Sequence, residues 1–408
     1  MQIDTNLYER DVPEVMSWLG AQIGAGLKKR VENLKRQERE NPLFAWYSRQ
    51  AFALEFALEE ARSIRRKRTH FPQSEPFATA YGIAAAMKRI HAGLNSFGRE
   101  QFIGRLRGAM KEPSGLRPIA YEVLILTHLT RKGFDVECND LEKGGGYDFL
   151  ATRSGESIEV ECKTTARDAG RKIHMSEVAT LGGRLWPVAR PLLESGGLHI
   201  VLIELQDRLS AREEDLEGIA DLFARAIADK GHAESGATVD YKIVDTPPSE
   251  SPGTLEDKLR SVFLSSFGRQ ASSIVFYGRP EGSALAVGVT SKGADKVVDT
   301  LADQAKQAAK QCTGDRPAVI AMQMTEISRA QLTDLVKGPS GLHKIVHEVL
   351  RSEGRRHVDS IAFTVPPNLR RSSLIGVTEI SGLAGIIHNP TPMHPSDTAR
   401  QLFAAPAS

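Results

Sequence analysis

Apolar positions recur at helical spacing over the first 112 residues, and strand spacing begins only beyond them. A helix is expected from Val12 and Pro13, with the proline in its first turn, running on through Leu27, Val31 and Leu34 until Asn41 and Pro42 break it. A second is expected from Leu43 to Arg66, with an apolar side made by Phe44, Phe52, Leu54, Phe56, Ala57 and Ala61. Pro72 to Pro76 reads as a linker, and shorter helices follow over 77–93 and 97–111.

From Pro113 the pattern changes. Tyr121, Leu124, Ile125, His128 and Leu129 keep helical spacing from Arg117 to Lys132, and Gly133 ends that helix. Phe134 to Cys138 alternates as a short strand. A loop through Gly144, Gly145 and Gly146 leads to a strand that begins at Asp148, and Arg153 to Glu156 forms a turn. In the strand beyond it, Ile158, Val160 and Cys162 point one way and Glu159, Glu161 and Lys163 the other. A polar loop reaches His174, a helix is expected from Ser176 to Leu193, and Leu198 to Leu205 reads as a buried central strand.

The remainder mixes both periods. Helices are expected over 212–229, 255–267 and 295–312. Strands are expected at Val239–Val244, Ser273–Tyr277, Leu285–Val289, Ala318–Met324 and Val358–Val365, with a last one near 374–378. Thr246 to Gly253 is the strongest linker signal, and the tail from His394 reads as loose.

Composition changes this picture little. The chain has 408 residues, long enough for two or three domains, and 41% of them are hydrophobic. The net charge of +2 does not demand an anionic partner, so any basic surface must be local. No basic-then-apolar leader opens the sequence, and no apolar run nears the roughly 20 residues that span a bilayer. The three cysteines have no metal-type spacing, and a reduced cytoplasmic compartment is expected. No Walker-type phosphate loop occurs. His343 and His347 share a helical face, but Glu348 follows the second histidine, whereas a zinc protease needs the acid beside the first.

The chemistry concentrates at the hairpin. Two carboxylates and an amine on one strand face, with Asp148 on the neighbouring strand, are what a magnesium-dependent phosphodiesterase needs. The bland alternative is a solvent-facing hairpin whose Glu and Lys form cross-strand pairs. Glu122 on the preceding helix, the glycine run, the short hairpin and the apolar Leu198–Leu205 strand together favour the first reading. The sequence over residues 117–206 resembles the PD-(D/E)xK, or restriction-endonuclease-like, nuclease superfamily. Asp148, Glu161 and Lys163 match its motif, with Cys162 between the last two, and Glu122 matches the acid that many members carry on their first helix. Tyr147 stands where the motif often has proline.

The resemblance implies an α/β fold with a mixed sheet flanked by helices. It implies Mg²⁺, with Mn²⁺ able to substitute, held by Asp148, Glu161, the Cys162 carbonyl and, directly or through water, Glu122. Lys163 would orient the attacking water or offset charge growing on the phosphate. The substrate expected is DNA, with RNA as an alternative, and the biological setting suggested by analogy is anti-phage defence or restriction. A non-catalytic nucleic-acid-binding or assembly module on the same fold is the rival. A homodimer and a separately encoded helicase or ATPase are left open as partners; a membrane is not expected.

Further expectations concern the flanks and the surroundings of the hairpin. Arg65, Arg66, Lys67 and Arg68 end a basic run that suits phosphate contact or a solvated helix end, and Arg171 and Lys172 are candidate backbone contacts beyond the hairpin. Asp168 either joins those contacts or fixes the loop by pairing with Arg171 or Lys172, and Glu159 is expected to be a solvated strand charge rather than an outer acid of the site. Lys28, Lys29 and Arg30 read as an ordinary solvated face. The expected domains are a helical region over 1–112, the nuclease-like core over 113–246, a C-terminal α/β region over 254–395 and a loose tail over 396–408.

Overall fold

A computed structural model describes residues 9–66, 75–166, 168–210, 212–244, 255–279, 282–325, 332–333, 335–336, 341–364 and 383–403. The chain opens with helices α1 (Val12–Ile23), α2 (Gly26–Glu40), α3 (Pro42–Ala51), α4 (Ala53–Arg66), α5 (Glu75–Gly93) and α6 (Ser96–Ala109). The first expected helix is two, because the chain turns at Gly24 between α1 and α2. Then come α7 (Arg117–Arg131), β1 (Asp135–Cys138), the short α8 (Asn139–Lys143), β2 (Phe149–Arg153) and β3 (Glu156–Thr165). The middle of the chain gives α9 (Met175–Ala189), β4 (Leu198–Leu205), α10 (Glu213–Ala228), β5 (His232–Ser235), β6 (Ala237–Val244), α11 (Leu255–Phe267), β7 (Ser273–Gly278) and β8 (Ala284–Ser291). Last are α12 (Val297–Ala309), β9 (Ala318–Met324), α13 (Leu342–Arg351), β10 (Val358–Thr364), β11 (Leu383–His388) and α14 (Asp397–Gln401).

These elements form two compact units, each discontinuous in sequence. The first is Met1–Val31, Phe52–Arg167 and Val298–Ser408; the second is Glu32–Ala51 and Asp168–Val297. The expected boundaries at 113–246 and 254–395 do not coincide with them.

The first unit is built on a six-stranded mixed sheet in the order β1-β2-β3-β9-β10-β11. β1, β2 and β3 make an antiparallel meander, and β3, β9 and β10 run parallel. The β2–β3 turn holds Ser154 at φ 54° and Gly155 at φ 82°, the pair of positive angles that a two-residue hairpin turn requires. β3 is therefore a central strand, with Val160 between Phe149 and Val319. α7 lies against β1 and β3. Thr364 on β10 donates to the hydroxyl of the buried Tyr121 on α7 at 3.1 Å. On the other face, Gln304 of α12 bonds Thr165, and Gln311 just beyond it bonds Lys163.

This arrangement corrects one expectation. The apolar run Leu198–Leu205 is a buried strand, but it belongs to the other sheet, and β9 is the strand parallel to β3. Any long run of buried β-branched residues fits a central parallel strand; which sheet it joins is set by long-range pairing. The tail is corrected as well. Ser396 caps α14 by accepting from the Ala399 amide at 2.9 Å, Leu402 and Phe403 are buried, and the Phe403 ring stacks on His128 of α7. The linkers expected at 72–76 and 246–253 and the strand expected at 374–378 fall wholly or mostly outside the described residues.

The second unit holds a five-stranded sheet, β5-β6-β4-β8-β7, in which β4 and β8 are parallel and the other pairs antiparallel. α3, α9 and α10 pack over one face with Leu43, Val178, Leu185, Phe223, Val201 and Val287. α11 covers the other, where Leu259 and Phe263 meet Ile200, Leu202 and Ile274. No helix among the described residues is long and apolar enough to cross a membrane.

Candidate active site

Asp148 follows three glycines that all have positive φ, so the loop before it is built from positions where side chains are disfavoured. Asn139 fixes that loop: its amide donates to the carbonyls of Gly145 at 3.0 Å and Tyr147 at 3.3 Å. Extending the β2–β3 register by one residue sets Asp148 opposite Glu161. Its Oδ2 accepts the Cys162 backbone N–H at 2.6 Å, which locks the carboxylate against β3.

Glu161 is 1% exposed. Its Oε1 accepts from Lys163 Nζ at 2.5 Å, and its Oε2 has no hydrogen-bond partner among the described residues. Lys163 also donates to Gln311 Oε1 at 2.5 Å. Glu122 reaches the same cluster from α7, with Oε2 3.4 Å from Arg105 Nη1. Arg105 in turn pairs with Asp140 of α8. Four carboxyls, Glu122, Asp140, Asp148 and Glu161, thus share one neighbourhood with two cations, Arg105 and Lys163.

The electrostatics follow. Loss of hydration, then the Asp148 charge, pushes Glu122 up to about 8, with Asp140 and Glu161 adding and Arg105 opposing. Glu161 is likewise raised to about 8 by loss of hydration and by Asp148, against the pull of Lys163. Asp148 is raised mainly by burial, and the Cys162 amide limits the rise. A divalent cation at these raised carboxyls would compete with protons for them. Leaving a buried polar oxygen such as Glu161 Oε2 unpaired costs about 1–3 kcal/mol, which marks the position as one where a further partner is favourable.

Among the described residues, no three His, Cys, Asp or Glu side chains are grouped as they stand to hold a metal ion. Arg105 and Lys163 occupy carboxylate oxygens instead. The donor set is nonetheless oxygen throughout, and the orphaned Glu161 oxygen fits a hard cation such as Mg²⁺.

The remaining expected residues fare unevenly. Glu159 is fully buried rather than solvated: it accepts from Thr313 N at 2.8 Å and Thr313 Oγ1 at 2.5 Å, with Arg316 at 3.6 Å, and so anchors the loop before β9. The solvent-facing alternative for the hairpin fails with it, since neither Glu159 nor Glu161 reaches water. Asp168 pairs with neither Arg171 nor Lys172; its Oδ2 accepts the Met175 amide at 2.9 Å at the start of α9. Arg171 lies 3.6 Å from Asp295, and Lys172 lies 2.6 Å from Asp207, all within the second unit. Arg65 and Arg66 end α4, but their side chains, together with Lys67 and Arg68, lie outside the described residues. His343 and His347 contact each other through their Nε2 atoms at 3.2 Å.

Arg105 and Asp140 were not expected. Asp140 sits eight positions before Asp148, off any periodic face, and Arg105 flanks the buried Phe102, Ile103 and Leu106 of α6. Arg30 does not lie on a solvated face: its guanidinium is beside the buried Glu55 and donates to the carbonyls of Met110, Glu112 and Pro113, while Glu55 accepts the Leu116 amide at 2.9 Å. That pair fixes the chain just before α7. No protein-family model matches this chain, and neither the curated proteins nor the solved structures contain a match to it.

Proposed function

We propose that this chain is a Mg²⁺-dependent nuclease that hydrolyses phosphodiester bonds in DNA. The observation that carries the reading is the junction of Asp148, Glu161 and Lys163 at β2 and β3 with Glu122 arriving from α7, and a buried Glu161 oxygen beside Lys163 that has no partner among the described residues. The order of elements adds support to the resemblance to PD-(D/E)xK nucleases. A helix, an antiparallel meander, a helix and a strand parallel to the third are supplied by α7, β1–β3, α12 and β9, with residues 168–297 inserted between β3 and α12.

In this reading Asp148 and Glu161 hold the metal, Glu122 reaches it directly or through water, and the Cys162 carbonyl is a further ligand. A divalent ion held there would supply Lewis-acid activation of the scissile phosphate and of an attacking water. Lys163 works from a fixed position. Its two acceptors, Glu161 and Gln311, hold the ammonium where it can orient water or offset charge on the phosphate oxygens. Asp148 keeps its orientation through the Cys162 amide, so this geometry does not depend on the metal alone. A role in restriction or anti-phage defence belongs to the proposal as an analogy of architecture.

The test is cleavage by purified protein of plasmid, linear duplex and single-stranded DNA and of RNA, with Mg²⁺ and with chelator, beside Asp148→Ala and Lys163→Ala. Metal-dependent cutting of DNA that both substitutions abolish is expected. Cutting unchanged in both variants would sink the site assignment, and preferential cutting of RNA would move the substrate. Tight DNA binding without cleavage in any metal would favour a non-catalytic binding module.

A further inference from the structure

Arg105 is the feature that the nuclease reading leaves unexplained. It comes from α6, outside the helix and strands that carry the other charged groups of the site. Its Nη2 pairs with Asp140 and its Nη1 lies 3.4 Å from Glu122 Oε2. A third of its side chain is exposed, at 34%. The helix that carries it is fastened to α8 at its other end, where the Asn95 amide donates to Glu142 Oε1 at 3.1 Å. The Asn95 side chain caps α6 by accepting from Gly98 N at 2.7 Å. The guanidinium is thus held at the mouth of the carboxylate cluster by a rigid helix, with one side open to solvent.

A guanidinium and a divalent cation compete for the same carboxylate oxygens. An arginine displaced from carboxylates beside a phosphodiester has an alternative partner, because its planar fork matches phosphate as well as it matches carboxylate. We propose that Arg105 is the substrate-gripping residue of this site: it neutralises Glu122 and Asp140 as an internal counter-ion, yields Glu122 to a divalent cation, and then binds a non-bridging phosphate oxygen of the nucleic-acid backbone. Arg105 thereby couples metal uptake to substrate binding. A purely structural tether between α6 and α8 would have no such coupling. The inference rests on the nuclease reading.

The test uses the full chain in two measurements. Calorimetry follows Mn²⁺ uptake by wild type, Arg105→Ala and Arg105→Lys. Fluorescence anisotropy follows binding of labelled DNA in Mn²⁺ at several salt concentrations, in a Lys163→Ala background that prevents cutting. Arg105→Ala is expected to take up Mn²⁺ several-fold more tightly than wild type, because the internal competitor is gone. It is also expected to bind DNA more weakly, with the slope of log affinity against log salt reduced by about one, the value for one lost phosphate contact. Arg105→Lys keeps the cation and is expected to keep that slope. If Arg105→Ala does not melt cooperatively, Arg105→Gln carries both measurements. Wild type that takes up Mn²⁺ and cuts DNA, with both readouts unmoved in the variant, overturns the role of Arg105 alone. Wild type that takes up no Mn²⁺ overturns the nuclease reading and this role with it.

Discussion

The two sheets of this protein have parallel strands at their centres and treat charge there in opposite ways. β4 in the second unit is lined by Ile200, Val201, Leu202 and Ile203. Its buried polar residue, His199, is paired with Tyr241 at 2.8 Å and with the Gly196 carbonyl at 3.0 Å. Glu204, near its end, meets Arg269 and Lys292. β3 in the first unit buries Glu159 and Glu161 in mid-strand, and one oxygen of Glu161 has no partner among the described residues. The second sheet is organised for packing. The first buries carboxylate oxygens without hydrogen-bond partners among the described residues at Glu161 on β3 and again at Asp359 on β10, and Glu161 differs in lying beside further acids, a lysine and an arginine, the clustering that functional sites favour.

The sharpest way to break the comparison is to remove the charges on each side. Lys163→Ala or Asp148→Ala should lower the cleavage rate about a thousandfold or more, as loss of a charge-stabilising group does, while leaving the urea midpoint close to wild type. In the second sheet the reverse holds. Phe223→Ala empties a fully buried position on α10 and should cost about 3–5 kcal/mol in urea unfolding. It should leave the cleavage rate per folded molecule unchanged. A mutant pattern with these two effects exchanged would refute the division of labour.

Glu122→Gln should have a smaller effect, a loss of about 10- to 100-fold in activity or in Mn²⁺ affinity, as for groups that support a metal from its periphery. Equal loss with Glu122→Gln and Asp148→Ala would place Glu122 among the direct ligands.

Stability against pH gives a subtler contrast. Glu122 and Glu161 carry folded values of about 8 against an ordinary 4.5. Between those limits the folded chain keeps protons that the unfolded chain has released, so stability falls as pH rises. In chelator, the melting temperature is expected to drop by several degrees from pH 5.5 to 8.5, and Glu161→Gln should flatten that fall. A melting temperature that rises over this range would contradict the raised values of these acids.

The smallest effect is expected at Lys172. Its pair with Asp207 is at the surface, so Lys172→Ala should leave the melting temperature unmoved. It should lower the salt slope of DNA binding by about one only if the second unit touches the phosphate backbone.

Much of the local structure was legible from periodicity. Leu198–Leu205, Leu255–Phe267 and Ala318–Met324 begin and end where their apolar patterns do. The Asp148, Glu161 and Lys163 constellation was legible too, because one hairpin carries all three and alternation fixes which side chains share a face. Glu122 could be matched because it stands on the adjoining helix. Arg105 and Asp140 could not, since they meet through the packing of α6 on α8. Neither residue has a local signature that separates it from an ordinary surface charge.

The sequence by itself determined the elements, the short hairpin and the chemical character of its charged face, all of which depend on residues within a few positions of one another. Only the tertiary structure decided that Glu159 and Glu161 on this face are buried, because that depends on β9 pairing with β3 from more than 150 residues away. Only it decided that β4 belongs to a separate sheet and that the tail docks beside His128. Long-range strand pairing has no local period, since any apolar strand offers the same backbone donors and acceptors. The partner is chosen by the sum of contacts across the whole unit.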